Sequence, residues 1–198
     1  MILSVLSAYT TRIYALCEVE DAILFMDERG LKIDEFTQSA LTKIRYSVVI
    51  YAYAEKRYTL ETDKVFMCCK ERKNLSVIVF NVMIKAYGIG KCYDKACQLF
   101  DRMVKFGCAA KGCSYIYLIH ILSCADKPYI AIPYLNKMQE AGLVSDCAPY
   151  CAVISSFAKL GQLDTAEALY GEMIKYAVYT PSIITLLNLM IIQFKFKQ

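Results

Sequence analysis

The 198-residue sequence contains no tryptophan, one histidine (His120) and only four prolines and eight glycines. With a single histidine, a metal centre would have to be nearly all cysteine. No two of the ten cysteines stand at CxxC spacing, the candidate pairs being Cys92 with Cys97, Cys108 with Cys113 and Cys147 with Cys151. No metal or other cofactor is therefore expected. The few glycines form no phosphate-cradling loop, no convincing triad surrounds His120, and no two carboxylates have a reason to share a substrate, so an enzyme is not expected. Long apolar runs are missing too. The longest, Cys113 to Ala125, carries His120 and two serines and falls short of the about 20 apolar residues that a membrane helix needs. Met1 to Tyr9 is apolar but has no basic residue before it, which makes a poor secretory signal, and it lacks the Arg- and Ser-rich amphipathic pattern of a transit peptide. Without a secretory signal the cysteines read as reduced thiols used as small apolar side chains.

What is present is an apolar fraction of 57%, enough to build a core, a mild net charge of +4, and a repeat. In the stretch Val79 to Gly107, Ala96 is followed by Ala131 and Ala166, Met103 by Met138 and Met173, and Phe80 by Tyr115 and Tyr150, each step being 35 residues. Gly107 recurs as Gly142. Self-similarity at this period predicts a stack of helix-turn-helix units instead of one closed globule. The first helix of each unit has an apolar stripe at i, i+3, i+4 and i+7: Phe80, Met83, Ile84 and Tyr87, then Tyr115, Leu118, Ile119 and Leu122, then Tyr150, Val153, Ile154 and Phe157. The second helix repeats Ala96, Leu99, Phe100 and Met103 as Ala131, Tyr134, Leu135 and Met138, and as Ala166, Leu169, Tyr170 and Met173. Alanine opens this stripe because a small side chain lets the two helices of a unit approach.

The spacing divides the chain into degenerate fragments over 1–43, a weak repeat over 44–77, clean repeats over 78–112, 113–147 and 148–183, and a half repeat over 184–198. In the weak repeat Tyr46, Val49, Ile50 and Tyr53 share a helical face, while Thr62 and Cys69 take the alanine and methionine places. DEFTQSAL, from Asp34, is expected to begin a first helix that is not completed. Gly90 and Gly161 are expected to part first helix from second, and Asp126 to cap the second helix of the middle unit, with Pro128 in its first turn and Pro133 kinking it. Gly107 and Gly142 suit the left-handed residue after a helix end, with Ala177 in that place in the third unit.

These residues resemble the pentatricopeptide repeat family of the type built purely from 35-residue units. The resemblance is carried most closely by APYCAVISSFAKLGQLDTAEALYGEM, from Ala148 to Met173. The related tetratricopeptide unit has a period of 34 and a Trp-Leu-Gly signature, which a chain without tryptophan cannot supply. The resemblance implies an all-α, right-handed α-solenoid of helix-turn-helix repeats, apparently truncated here. Such a solenoid lays single-stranded RNA along its concave groove, one base per unit, each base read by two or three side chains. In the family, an asparagine-like slot in the first helix and a residue of the inter-unit turn choose the base. By motif these slots are Asn81 with Lys111, Ile116 with Asp146, and Cys151 with Ser182, and none is a standard pair. Side chains that pack on the bases would be Ile78, Cys113, Ala148 and Ile184. Lys159 matches a family lysine near the phosphates, and Ile89 and Cys124 stand in its place in the preceding units. The resemblance also implies a chloroplast or mitochondrial location and a role in RNA processing, stability or translation.

The methionine and tyrosine stripes, at helical spacing inside a repeat, read as core and not as a base-stacking platform. His120 reads as a surface or interhelix residue, and Lys70 to Lys73 as a solvated helix end with a phosphate contact as the sharper alternative. RNA binding is the first expectation. A scaffold for other proteins on the same surface, or a repeat fragment too short to bind, are the alternatives.

Overall fold

The computed structural model describes residues 35–72, 75–144 and 147–176. They form eight α-helices: α1 (Glu35–Glu55), α2 (Thr59–Glu71), α3 (Val77–Ile89), α4 (Tyr93–Arg102), α5 (Gly112–Cys124), α6 (Pro128–Glu140), α7 (Ala148–Lys159) and α8 (Leu163–Tyr176). A 3-10 helix, Val104–Phe106, follows α4, and no strand occurs among the described residues.

The hairpins are made by one repeated helix ending. Arg57, Lys91, Asp126 and Gly161, which follow the first helices at steps of 34, 35 and 35, all take left-handed φ values of 58°, 57°, 55° and 76°. At each, the left-handed residue donates its N–H to the carbonyl three residues back, and the next residue donates to the carbonyl five back: Arg57 to Ala54 and Tyr58 to Tyr53, Lys91 to Gly88 and Cys92 to Tyr87, Asp126 to Ser123 and Lys127 to Leu122, Gly161 to Ala158 and Gln162 to Phe157. This paired reversal satisfies carbonyls that the helix end leaves open. Three of the four residues in the slot are not glycine, so the hydrogen bonds hold a conformation that their Cβ atoms disfavour. Gly107 (φ 71°) and Gly142 (φ 65°) close the second helices in the same way.

The odd-numbered helices touch in succession, α1 with α3, α3 with α5 and α5 with α7, and make one layer. Each even-numbered helix packs on the helix before it, and α2, α4 and α6 also pack on the one that follows. The result is the two-layer stack of an α-solenoid. Ala96, Ala131 and Ala166 are buried where the two layers meet, beside Leu99, Leu135 and Leu169. Aromatic contacts cross from unit to unit, with Phe80 against Phe66, Phe100 against Tyr115 and Tyr134, and Tyr129 edge-on to Phe157, while Phe80 also meets Phe106 of its own unit. Polar clasps do the same at the surface. Tyr87 donates to Asp63 at 2.7 Å, Lys95 pairs with Asp63 at 2.9 Å, and Tyr134 donates to Asp101 at 3.1 Å.

Several local expectations change. One unbroken helix, α1, covers both EFTQSAL, from Glu35, and the weak repeat's first helix, crossing residues 43 and 44; Leu41 to Tyr46 contains no glycine or proline to stop it. On that helix Ile50 and Ala54 are buried and Tyr46 is half-buried, but Val49 and Tyr53 are exposed, so the buried face is turned away from the expected stripe. Gly90 is right-handed (φ −74°) and ends α3, leaving the left-handed slot to Lys91. Asp126 occupies that slot too and caps nothing: α6 starts after Lys127 without a side-chain cap. Pro133 lies inside α6, as expected, and is exposed. Met103 is fully buried although α4 ends one residue before it. Lys70 lies 5.1 Å from the Phe106 ring centre and is half-buried, more than a solvated end. Ala177 lies outside the described residues.

Two buried serines make a test of polar satisfaction. The Ser156 hydroxyl is buried without a partner, whereas the buried Ser114 hydroxyl accepts the Lys111 N–H at 3.3 Å. A buried hydroxyl without a partner costs about 1–3 kcal/mol, so Ser156→Ala should stabilise by about 1 kcal/mol while Ser114→Ala destabilises by a similar ~1 kcal/mol. Urea midpoints of the two variants moving the same way would contradict this account.

Candidate nucleic-acid interface

The first-helix layer has two comparable seams, α3 against α5 and α5 against α7, and they are filled differently. At the first seam Asn81, 8% exposed, donates from Nδ2 to the Cys113 sulfur at 3.5 Å, and its Oδ1 is buried with no partner. One turn further along, the Lys85 ammonium sits 3.7 Å above the Tyr117 ring centre. At the far end Ile121 lies flat on Gly88, so closely that a Cβ there would stand 2.9 Å from three Ile121 carbons.

The 35-residue register places Ala152 and Ser156 at the second seam where Tyr117 and Ile121 fill the first. The missing volume is a cleft of about 440 Å³ between α5 and α7, lined by His120 and Cys124 on one side and by Ala148, Cys151, Ala152 and Lys159 on the other. Ser123 and Ser156 also line it, 3% and 1% exposed, and neither hydroxyl has a partner. No carboxylate lines the cleft among the described residues.

The structure thus brings Asn81 and Cys113 into contact, and gathers Ala148, Cys151 and Lys159 on one cleft. Ile78 is 56% exposed in the first turn of α3. Lys111 is exposed at the N-cap of α5, and no hydrogen bond joins it to Asn81 among the described residues. Ile116 is half-buried and packs against the core, so it offers this face no polar group. Asp146, Ser182 and Ile184 lie outside the described residues. On this layer the expected cation Lys159 is exposed, and Lys85 is held on Tyr117.

Tyr117, Ser123, Ser155 and Ser156 escaped the sequence reading as members of this surface. The signal existed: Lys85, His120 and Ser155 form one column in the 35-residue register, a turn past Asn81, Ile116 and Cys151. A side chain's neighbour across a seam is a property of two units, and one unit's motif does not contain it.

Comparison with known proteins agrees with this geometry. The family described as "PPR repeat" matches residues 78–108 and 148–178. A pentatricopeptide repeat-containing protein of Arabidopsis thaliana is 54% identical over 125 residues, covering 63% of this chain and 15% of the relative. The small ribosomal subunit protein mL103 of the same plant is 30% identical over 102 residues, 50% of this chain and 25% of the relative. The chain therefore spans a quarter or less of the length of these two relatives. Among solved structures, the maize pentatricopeptide repeat protein PPR10 superposes with a TM-score of 0.65 at 22% identity, covering 90% of this chain and 24% of that one. The PPR domain of Arabidopsis thaliana protein-only RNase P 1, solved in complex with tRNA, gives 0.62 at 16% identity, covering 75% and 78%.

Proposed function

Because the chain is built of pentatricopeptide repeats, we propose that it binds single-stranded RNA along the face of its first-helix layer. The observation that carries this reading is the alignment, on successive first helices of one layer, of Asn81 with Cys113, Lys85 with Tyr117, and Ala148, Cys151 and Lys159. Their chemistry suits a strand: polar edges for bases, flat or small side chains beside them, and ammonium groups for phosphates. RNA is also the ligand in solved complexes of similar fold, an 18-nt psaJ element on PPR10 and tRNA on the RNase P domain.

Base choice falls to Asn81 with Lys111, Ile116 with Asp146 and Cys151 with Ser182. Packing falls to Ile78, Cys113, Ala148 and Ile184. Asn81 has the strongest part, because its buried Oδ1 has no partner and a base edge would supply one. Ile116 reads nothing, so sequence selection at the middle unit is weak. The proposed setting is a chloroplast or mitochondrion, in RNA processing, stability or translation; one Arabidopsis thaliana relative, 27% identical over 93 residues, is named as chloroplastic. A protein partner is the second reading, supported by the small apolar side chains of Ala148, Ala152 and Cys151 in the α5–α7 cleft.

Titration with unrelated single-stranded RNAs over a range of salt tests the proposal. Affinity should fall as salt rises, and Lys159→Ala should weaken binding to all sequences alike while lowering the log–log salt slope by about 0.7, the share of one phosphate contact. Binding that is weak at low salt and indifferent to added salt would instead favour the protein partner.

A further inference from the structure

The α5–α7 cleft also has a chemistry that RNA binding does not use. Nine reduced cysteines fall among the described residues, and of these only Cys113 and Cys124 are exposed. The Cys113 sulfur already accepts from Asn81. Cys124 lies on the cleft at the end of α5, its sulfur 3.7 Å from Nδ1 and 3.8 Å from Nε2 of His120, one turn earlier on the same helix. An unprotonated ring nitrogen there can take the thiol proton, and the thiolate is the reactive form. Lys159 lines the same cleft with an exposed ammonium, and no carboxylate stands beside it among the described residues, which favours an anionic visitor. The unpartnered Ser123 and Ser156 hydroxyls favour one that carries hydrogen-bonding groups. The buried thiols of Cys69 and Cys108 and the half-buried one of Cys97 are held back: loss of solvent pushes Cys69 up to about 11 and also raises Cys97 and Cys108, which keeps them protonated.

We propose that Cys124 is a thiol–disulfide exchange site, taking an acidic low-molecular-weight disulfide of the glutathione class into the α5–α7 cleft. The Cys124 thiol passes its proton to His120, and the thiolate attacks one sulfur of the disulfide. A bond from Cys124 to that sulfur forms as the original sulfur–sulfur bond breaks, and the departing thiolate recovers the proton from His120. One thiol and one disulfide enter, one mixed disulfide and one thiol leave, and no further oxidant is consumed. The adduct shares its cleft with Ala148, Cys151 and Lys159, so it competes for the surface assigned above to RNA, although the exchange itself does not depend on that assignment.

The test is incubation of the reduced full chain with oxidised glutathione at neutral pH, acid quenching, and peptide mapping over time. The first adduct is expected on Cys124, formed roughly tenfold faster than on Cys113, because only Cys124 has an imidazole beside it to take the thiol proton as the sulfur attacks. His120→Gln should slow the Cys124 adduct by roughly tenfold and leave the Cys113 rate in place. Lys159→Gln should slow oxidised glutathione but not uncharged hydroxyethyl disulfide. Cys113 serves as an internal control, since a variant that loosens the fold would speed both sites. Equal rates at Cys113 and Cys124, or a Cys124 rate unmoved by His120→Gln, would overturn the proposal.

Discussion

Phe80→Ala is expected to lower the free energy of unfolding by about 3–5 kcal/mol, the usual range for truncating a buried phenylalanine. Phe80 is fully buried, with the Phe66 ring edge-on at 5.7 Å and the Phe106 ring tilted at 5.7 Å. Three elements meet on that one ring: α2, α3 and the 3-10 helix that follows α4. The hole left by alanine cannot be closed by one of them without moving it off the other two. In a stack, each unit touches only its neighbours, so the loss should stay local. Hydrogen exchange should show protection falling in α2 and α3 while α7 keeps its own, alongside a lower urea midpoint for the whole. A midpoint that does not move would show that the Phe66, Phe80 and Phe106 cluster is not what joins the weak repeat to the clean ones.

The second large effect is expected at Gly88→Leu, which should destabilise by about 2–3 kcal/mol through overpacking, even after the gain from removing a helical glycine. Gly88 is right-handed, so backbone freedom is not the reason for glycine there. The reason is Ile121, whose Cγ1, Cγ2 and Cδ1 all lie where a Cβ would be met at 2.9 Å. Two of those three atoms are at the branch of the isoleucine and cannot swing aside as a chain tip would. Ile121→Ala alone empties the seam and also costs stability. Combined, the two changes exchange large and small across one contact, and the double variant should be more stable than the sum of the single losses predicts by more than about 1 kcal/mol. Strict additivity in that cycle would mean that Gly88 and Ile121 are not in contact.

The repeat was legible in the sequence because burial follows its period. Phe80, Met83 and Ile84 are fully buried, as are Ala96, Met103, Ala131 and Met138, at the positions the 35-residue spacing marks. Where the pattern weakens it misleads: the spacing puts Val49 in the buried stripe, yet it is 41% exposed, since α1 is a longer helix with a rotated face. Turn chemistry was harder still. Glycine was the signal sought at the end of each first helix, yet Lys91 and Asp126 take the same left-handed φ as Gly161, because the pair of hydrogen bonds at each reversal is made by the backbone alone. For the site, the motif marks Asn81 and Lys159 as candidates, but it does not show the cleft. It exists because Ala152 and Ser156 are small relative to Tyr117 and Ile121, and a hollow is visible only when two adjacent units are compared side chain by side chain.

The unequal seams also set the mechanics of the stack. At α3 with α5, an ammonium on a ring and an isoleucine on a glycine leave no slack, so that joint transmits bending as a solid would. At α5 with α7, a hollow lies beside two unpaired hydroxyls, so a small opening at the cleft lets water reach groups that lack a partner. A rod with one stiff and one compliant joint adjusts its pitch at the compliant one. When a strand or partner of imperfect length must be accommodated, the give comes from between α5 and α7.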